Sequence, residues 1–564
     1  MLRRMRTCSG SVTNVLALLA VWSCVSAVRA EEDDLQRYLR VRMEDLESNG
    51  KLTVQGTRIV AEEFVPKLYS HMHFKRVWTD AAKVNELIRA IEDSAKDGLD
   101  PEDYDLSQIK ALKGKVELTQ DPTTLAELDI LLSDALAQLA YHAFYGKVDP
   151  ERIDKTWNVP QAWHGPDAVA KAVSMLNAKS LYDAIEALKP RAPMYERFRQ
   201  ALAKYRAYEA AGGWKPIAAG PALKVGKQDG RVPAIRHRLA ISEDLRKDFD
   251  NGSDTYDEEL QRAVEQFQKR HRLPLGDLSR LTLEALNVPV GKRIEQIRVN
   301  LERARWILRD VPKRLVLVNV AAYEIYYMEN DKIVWQNRAQ VGREVSQTPQ
   351  YRDDIQYLVL NPTWTVPPGV LAGTVLPAAK ANPNYFKEKG IRVIDPDRGE
   401  LDPKKVNWNS YSADNFPYVL RQDPGPNNAL GAIKFMFPNQ YHVYLHDTPN
   451  QAGYDTRLRA LSWGCVHVFE PLELAEKLIA NPARWNLDAL KKQVASKKSE
   501  TIYLDDPVPV MLLYWTVTVS KGGPVEFIPD IYSRDRSVLR ALKKTAQVRR
   551  EKRRSDEVDQ AKDE

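Results

Sequence analysis

Apolar residues recur at three- and four-residue spacing through DAAKVNELIRAIEDSAKDGL and TTLAELDILLSDALAQLAYHAFYG, which predicts amphipathic helices over the first third of the chain. Gly98 stands where the first run needs a residue free to take positive φ and stop. No acids, histidines or thiols cluster here, so residues 31–215 read as a helical scaffold. A Gly- and Pro-rich stretch, AAGGWKPIAAGPALKVGKQDG, leads into a compact unit over 228–290. Its segments VPAIRHRL, YDEELQRAVEQFQKRHRLPLGD and SRLTLEAL predict three short helices, with Leu260, Val264 and Phe267 on one face. The next run, RIEQIRVNLERARWIL, carries an apolar stripe (Ile294, Ile297, Leu301, Ala304, Leu308) and predicts a linking helix within 291–312.

From Arg314 the period falls to two. RLVLVNVAAYEIYYMEND and KIVWQNRAQVG predict strands joined at Asn330-Asp331, and DIQYLVLNPTWTV, YHVYLH and VPVMLLYWTVTVS continue in the same style. Between about 367 and 430 lies an insertion rich in Pro, Gly and Asn. An insertion that long in a β domain is more often a functional lid than a connection. The fold class is therefore multidomain α+β: a helical scaffold domain, a small three-helix domain, and a mostly β domain over 313–535. Residues 481–535 of the last are expected to pack on its other parts and on the scaffold. Residues 536–564 read as a charged, solvated tail, RALKKTAQVRREKRR followed by an acidic end.

The chain opens with MLRRMRTCSG and a short apolar run ending in small residues before EEDD, the pattern of a secretory signal cleaved after Ala30. An uncleaved membrane anchor is the alternative. Export gives the cysteine count its meaning, because Cys8 and Cys24 fall inside the signal and Cys465 is left alone, with no internal disulfide open to it. Losing Arg3, Arg4, Arg6 and Arg29 takes the charge from +6 to 79 minus 77, or +2, which is not a nucleic-acid signature.

Cys465 lies in Ser462–Val468, SWGCVHV. A thiol becomes a nucleophile when a base or positive charge favours its thiolate. His446, in YHVYLHDTP, precedes it by 19 residues. His442 is a rival; in one continuous strand it would lie about 13 Å from His446, at roughly 3.3 Å per residue, so both could not serve one thiol. His467 shares a strand face with Cys465 and is a third candidate base. Gly464 allows a sharp turn, and amides near it could hold an oxyanion.

HDTP followed by a charged stretch and S-x-G-C-V resembles the signature of the YkuD-type L,D-transpeptidases. LNPTWTVPPGV, RQDPGPNNALGAIKFMFPNQYHVYLHDTP, DIYSRD, DGLDPEDY and GKVDPERIDKTW are similar to the large, YcbB-like members. Residues Val232, Ile235, Arg236, Arg238 and Leu239, then Ala263, Val264, Phe267 and Gln268, then Thr282, Ala285 and Leu286 resemble a type-1 peptidoglycan-binding domain.

The resemblance implies that Cys465 attacks a tetrapeptide stem, releasing D-alanine, with His446 as general base and acid and Ser462 and Gly464 supporting the turn and oxyanion. It implies an amine of a second stem as acceptor, giving a 3-3 crosslink, and makes the thiol a target for carbapenems. Arg421, Asn428, Lys434, Tyr444, Trp463 and His467 are candidate substrate contacts. No cofactor or metal is implied. The expected partners are stem peptides, glycan and cell-wall synthases, without nucleic acid, in the periplasm of a Gram-negative-type bacterium, and membrane contact only through the signal or an uncleaved anchor. Hydrolysis, D-amino-acid exchange, lipoprotein attachment or a non-catalytic wall-binding role are the alternatives. Trp463 and His467 depart from the usual signature, which has His, Ser or Gly at the first position and Arg at the second.

Overall fold

The computed structural model describes residues 33–159, 168–382 and 384–544. The expected signal, Cys8, Cys24 and the end of the charged tail lie outside the described residues. Among the described residues no helix is long and apolar enough to cross a membrane.

Nine strands build the main sheet of the C-terminal domain: β1 (Arg314–Asn319), β2 (Glu324–Glu329), β3 (Lys332–Gly342), β4 (Tyr351–Leu360), β5 (Ile433–Met436), β6 (Leu445–His446), β7 (Ala460–Ser462), β8 (Val466–Val468) and β9 (Glu500–Leu513). Their order is β7-β3-β8-β6-β5-β4-β9-β1-β2, and β2 also pairs with β3, so eight of them close a ring while β7 runs parallel to the end of β3. Closure removes the free edges that an open sheet would expose. The β2–β3 hairpin turns at Asn330 and Asp331, both at positive φ (48° and 62°), as a tight two-residue turn requires. Alternate residues such as Val316, Val318, Ile325, Leu358, Phe435, Leu445, Val466, Val468 and Leu512 fill the core.

The insertion is a small folded unit. Trp364–Thr365, Ile391–Asp395, Gly399–Leu401 and Val419–Gln422 make a four-stranded sheet, with helical turns packed on it through Leu371, Val375, Phe386, Val393, Trp408 and Leu420. Trp515 belongs to another cluster, against Phe198 of the scaffold.

Two expectations change. The linking helix, Val290–Ile307, buries its polar side as well as its apolar stripe: Asn300, Glu302, Arg303 and Arg305 are all enclosed. Polar residues this deep need partners. Arg305 pairs with Glu302 and donates to the Asp97 carbonyl (2.8 Å), Glu302 accepts from the Val148 N–H (2.6 Å), and Asn300 bonds Thr516 (2.8 Å). Scaffold and β domain thus meet on this helix. The start of the charged tail is not free either. Asp535–Leu542 is a helix whose Val538 and Leu542, four apart, are buried beside the linking helix, and Lys147 Nζ donates to the Leu542 carbonyl (2.9 Å).

The three helices of the small unit fall at Val232–Ile241, Glu258–Arg270 and Arg280–Leu286 around Leu239, Leu260, Val264, Phe267 and Leu286. Gln268, buried in the middle helix, donates to the Gly276 and Asp277 carbonyls and so ties the short turn that follows.

Candidate active site

Register puts the candidate residues on one face of the barrel. β6 and β8 are parallel, with Leu445 opposite Val466 and His446 opposite His467; β5 is antiparallel to β6, with Lys434 opposite His446. Leu445, Val466 and Val468 point to the core. The alternate positions, Tyr444, His446, Cys465, His467 and Lys434, therefore share the other face. The His446 and His467 rings are 4.7 Å apart between centroids, and Lys434 Nζ stands 3.6 Å from the centre of the Tyr444 ring.

Cys465 follows a turn built for glycine. Gly464 has φ 119°, which side-chain-bearing residues rarely adopt. Ser462 spans the turn, its hydroxyl accepting from the Gly464 N–H (3.0 Å) and donating to the Cys465 carbonyl (2.5 Å). Thr348, in the β3–β4 loop, donates its hydroxyl to the Gly464 carbonyl (2.8 Å) and accepts from the Gly342 N–H (2.9 Å). Tyr532 locks the far side by donating its hydroxyl to the Gly342 carbonyl. Because the Gly464 N–H is committed to Ser462, the amide available to a developing oxyanion at this turn is that of Cys465 itself.

The thiol is half-buried, and Sγ donates to the His442 carbonyl at 3.7 Å. His442 is not in a strand: its φ is 53°, and β6 begins only at Leu445, so the continuous strand expected over YHVYLH is broken by a left-handed residue that aims a carbonyl at the thiol. Burial pushes the Cys465 thiol above its ordinary value, while the Tyr444 N–H and the Lys434 ammonium favour the thiolate without overcoming that cost. Burial likewise pushes His446 down to about 4, the Lys434 charge adding to the effect and the Asp447 carbonyl opposing it. His446 Nδ1 lies 2.5 Å from that carbonyl, which fixes the proton on Nδ1 and leaves Nε2 as the basic nitrogen. The resting pair is thus a neutral thiol and a neutral imidazole.

His467 Nδ1 contacts Gln340 Oε1 at 3.1 Å, and burial with the neighbouring His446 holds its pKa well below the usual value. Asp447 secures the loop after β6: its carboxylate accepts from the Ala432 N–H (2.8 Å) and fills the space that a side chain at Gly431 would need. Trp463 is 38% exposed, lies under the Arg343 guanidinium (3.9 Å) and touches the insertion at Gly373. Arg421 sits in the insertion sheet beside Asp423, at 3.9 Å. Asn428 is buried with its amide spent on the Pro362 and Asp423 carbonyls and the Leu430 N–H, so it shapes a loop. Among the described residues neither hydrogen-bonds to Cys465 or His446.

Gln340, Thr348 and Tyr532 support this site and carry no local sequence signal, since each reaches it from a distant segment. No group of three or more His, Cys, Asp or Glu among the described residues is arranged to hold a metal ion.

Residues 313–498 match the family model of the L,D-transpeptidase catalytic domain, and residues 63–202 match that of a scaffold domain. A curated protein of Haemophilus influenzae, named "Putative L,D-transpeptidase", is 32% identical over 266 residues, 46% of this chain and 53% of that protein, so the match spans about half of each. An L,D-transpeptidase structure from Mycobacterium smegmatis is 13% identical, with a TM-score of 0.18, over 36% of this chain and 58% of that one. One from Stackebrandtia nassauensis is 14% identical, with a TM-score of 0.20, over 53% and 97%. Overlaps at that level say nothing about the site.

Proposed function

The chain carries an L,D-transpeptidase catalytic domain behind its scaffold domain, and from that premise we propose that it joins peptidoglycan stem peptides through an acyl-enzyme on Cys465. The observation that supports this reading is the register that sets Cys465 and His446 on one barrel face, two residues out of step on adjacent parallel strands.

His446 Nε2 takes the thiol proton as Sγ attacks the carbonyl between the third stem residue and the terminal D-alanine. Negative charge develops on the carbonyl oxygen, where the Cys465 N–H is available. Collapse breaks the C–N bond, and the imidazolium returns its proton to the leaving D-alanine amine. A thioester remains. The side-chain amine of a second stem, deprotonated by the same imidazole, attacks the thioester; C–N forms, C–S breaks and the thiol is restored. Lys434 favours the thiolate throughout. A neutral resting pair suits this scheme, since charge separation then accompanies bond formation instead of preceding substrate.

On this reading the enzyme is exported to the periplasm and works there on stem peptides and glycan. The test is incubation with disaccharide-tetrapeptide and product analysis by mass spectrometry beside Cys465→Ala. A dimer with loss of one D-alanine, absent in the variant, is expected. A dimer that persists in the variant sinks the thiol mechanism, and D-alanine release without dimer makes water the acceptor.

A further inference from the structure

Cys465 stands at one end of a row that crosses the barrel wall. Leu445 faces Val466, so Tyr444, one residue back, lies beside Cys465, and the Val466 N–H donates to the Tyr444 carbonyl (2.9 Å). Phe435 faces Leu445, which sets Met436 next to Tyr444; Met436 in turn faces Tyr357, and Tyr357 faces Tyr503. The residues that alternate with them along each strand, Leu445, Phe435, Leu358, Ile502 and Leu504, are in the core, so the row itself is on the outer face. The far end of the row is bare. Met436 and Tyr357 are half-buried, but Tyr503 is 73% exposed, its ring centroid 5.2 Å from that of Tyr357. Neither of these two hydroxyls hydrogen-bonds to another group among the described residues.

A cross-strand aromatic pair steadies a sheet on its own account. Here the pair is also the outer end of one continuous strip of thioether and phenol rings that begins at the reacting thiol, and a contiguous exposed strip of that kind marks a binding surface. Distances select its occupant. Strands lie about 4.8 Å apart, so Tyr357 and Tyr503, three and four strands along from Cys465, are roughly 14 and 19 Å from it over the surface. The attacked carbonyl belongs to the third stem residue, and three extended residues span about 10 Å. A donor laid along the row therefore begins its stem near Met436 and carries its sugar over Tyr357 and Tyr503. The C–H face of a pyranose ring packs on the electron-rich face of an aromatic ring, and its hydroxyls are within the range of a phenol. Asp505, exposed and two places beyond Tyr503, adds a negative charge that repels the carboxylates of a stem and leaves a neutral sugar unaffected.

We infer that Tyr357 and Tyr503 form a sugar subsite for the donor, holding by ring stacking the glycan unit that bears the attacked stem. The inference rests on the transpeptidase reading, which sets the length of peptide between thiol and sugar. It gives the outer wall of the barrel a share of the recognition, separate from the three-helix unit.

The test is calorimetric titration of the Cys465→Ala protein with disaccharide-tetrapeptide and, separately, with the bare tetrapeptide. The disaccharide is expected to tighten binding at least fivefold. Tyr503→Thr, which suits a strand and removes a ring that stands mostly in solvent, should erase that gain, and Tyr503→Phe should keep most of it. Equal affinities for the two ligands before substitution, or a gain that survives Tyr503→Thr, overturn the subsite; loss of the gain in Tyr503→Phe overturns stacking as its basis. The transpeptidase reading fails separately, if the enzyme with its thiol intact releases D-alanine from neither ligand, a result on which the titration does not depend.

Discussion

Trp463 and Gly373 are in such close contact that a Cβ placed on the glycine would lie 2.2 Å from Trp463 Cη2. The residue two places before the nucleophile is thus seated on the insertion, and only a residue without a side chain lets it sit there. Removing the indole by Trp463→Ala should loosen the insertion over the site. The expected result is a rise of several-fold in donor KM with a smaller change in kcat. Faster amide exchange over 364–422 should accompany it, since weakening of local packing raises local opening. Unchanged KM and exchange would show that the contact is incidental.

The raised thiol and the depressed imidazole make a pH prediction. His446 loses its proton at about 4, so the general base is available above that value and kcat/KM should fall as pH drops through it. Alkylation of Cys465 by iodoacetamide follows thiolate, so its rate should keep climbing past the ordinary thiol value without a plateau near neutrality. A plateau between pH 6 and 8 would reveal a preformed thiolate–imidazolium pair.

Lys434 is the cation whose charge favours the thiolate. Lys434→Met should move the alkylation profile to higher pH and slow acylation about tenfold at pH 7.5, corresponding to roughly one pKa unit or about 1.4 kcal/mol. A profile that does not move would leave Lys434 with a packing role on Tyr444.

Ser462 and Thr348 hold the turn from opposite sides. Ser462→Ala leaves a Gly464 N–H and a Cys465 carbonyl without their partner, at a cost of about 1–3 kcal/mol for buried groups. Thermal melts should show the loss, and acylation by a carbapenem should slow by at least an order of magnitude. Thr348→Ser, which keeps the hydroxyl, should stay near the parent on both measures.

His467→Arg tests the departure from the usual signature. An arginine here would place a permanent charge in a buried site beside His446, whose ring is now 4.7 Å away. Desolvation should lower the melting temperature, and the added charge should depress His446 further and move the acid limb of kcat/KM to lower pH. A variant more stable and faster than the parent would show that the site already accommodates a cation.

The parts of this site that were legible beforehand are those carried by neighbours in sequence. Val466 and Val468 alternate with Cys465 and His467, so the face shared by thiol and imidazole follows from period two. The insertion announced itself by composition, and the Asn330-Asp331 turn by its residues. His442 was misread because apolar alternation through YHVYLH hides one residue at positive φ. The linking helix kept its stripe where expected, yet Glu302 and Arg305 are buried because the scaffold supplies Tyr195 and the Asp97 carbonyl from about a hundred or more residues away. Thr348, Gln340 and Tyr532 were invisible for the same reason: what makes them matter is where a closed barrel returns the chain.

The linking helix, enclosed by the scaffold on one side and the β domain on the other, leaves no slack between them. The three-helix unit is tied to the same frame, its Arg270 reaching Tyr205 of the scaffold and the carbonyl of Val525. The frame is a caliper with fixed jaws: whatever the three-helix unit meets stands at a set reach from Cys465.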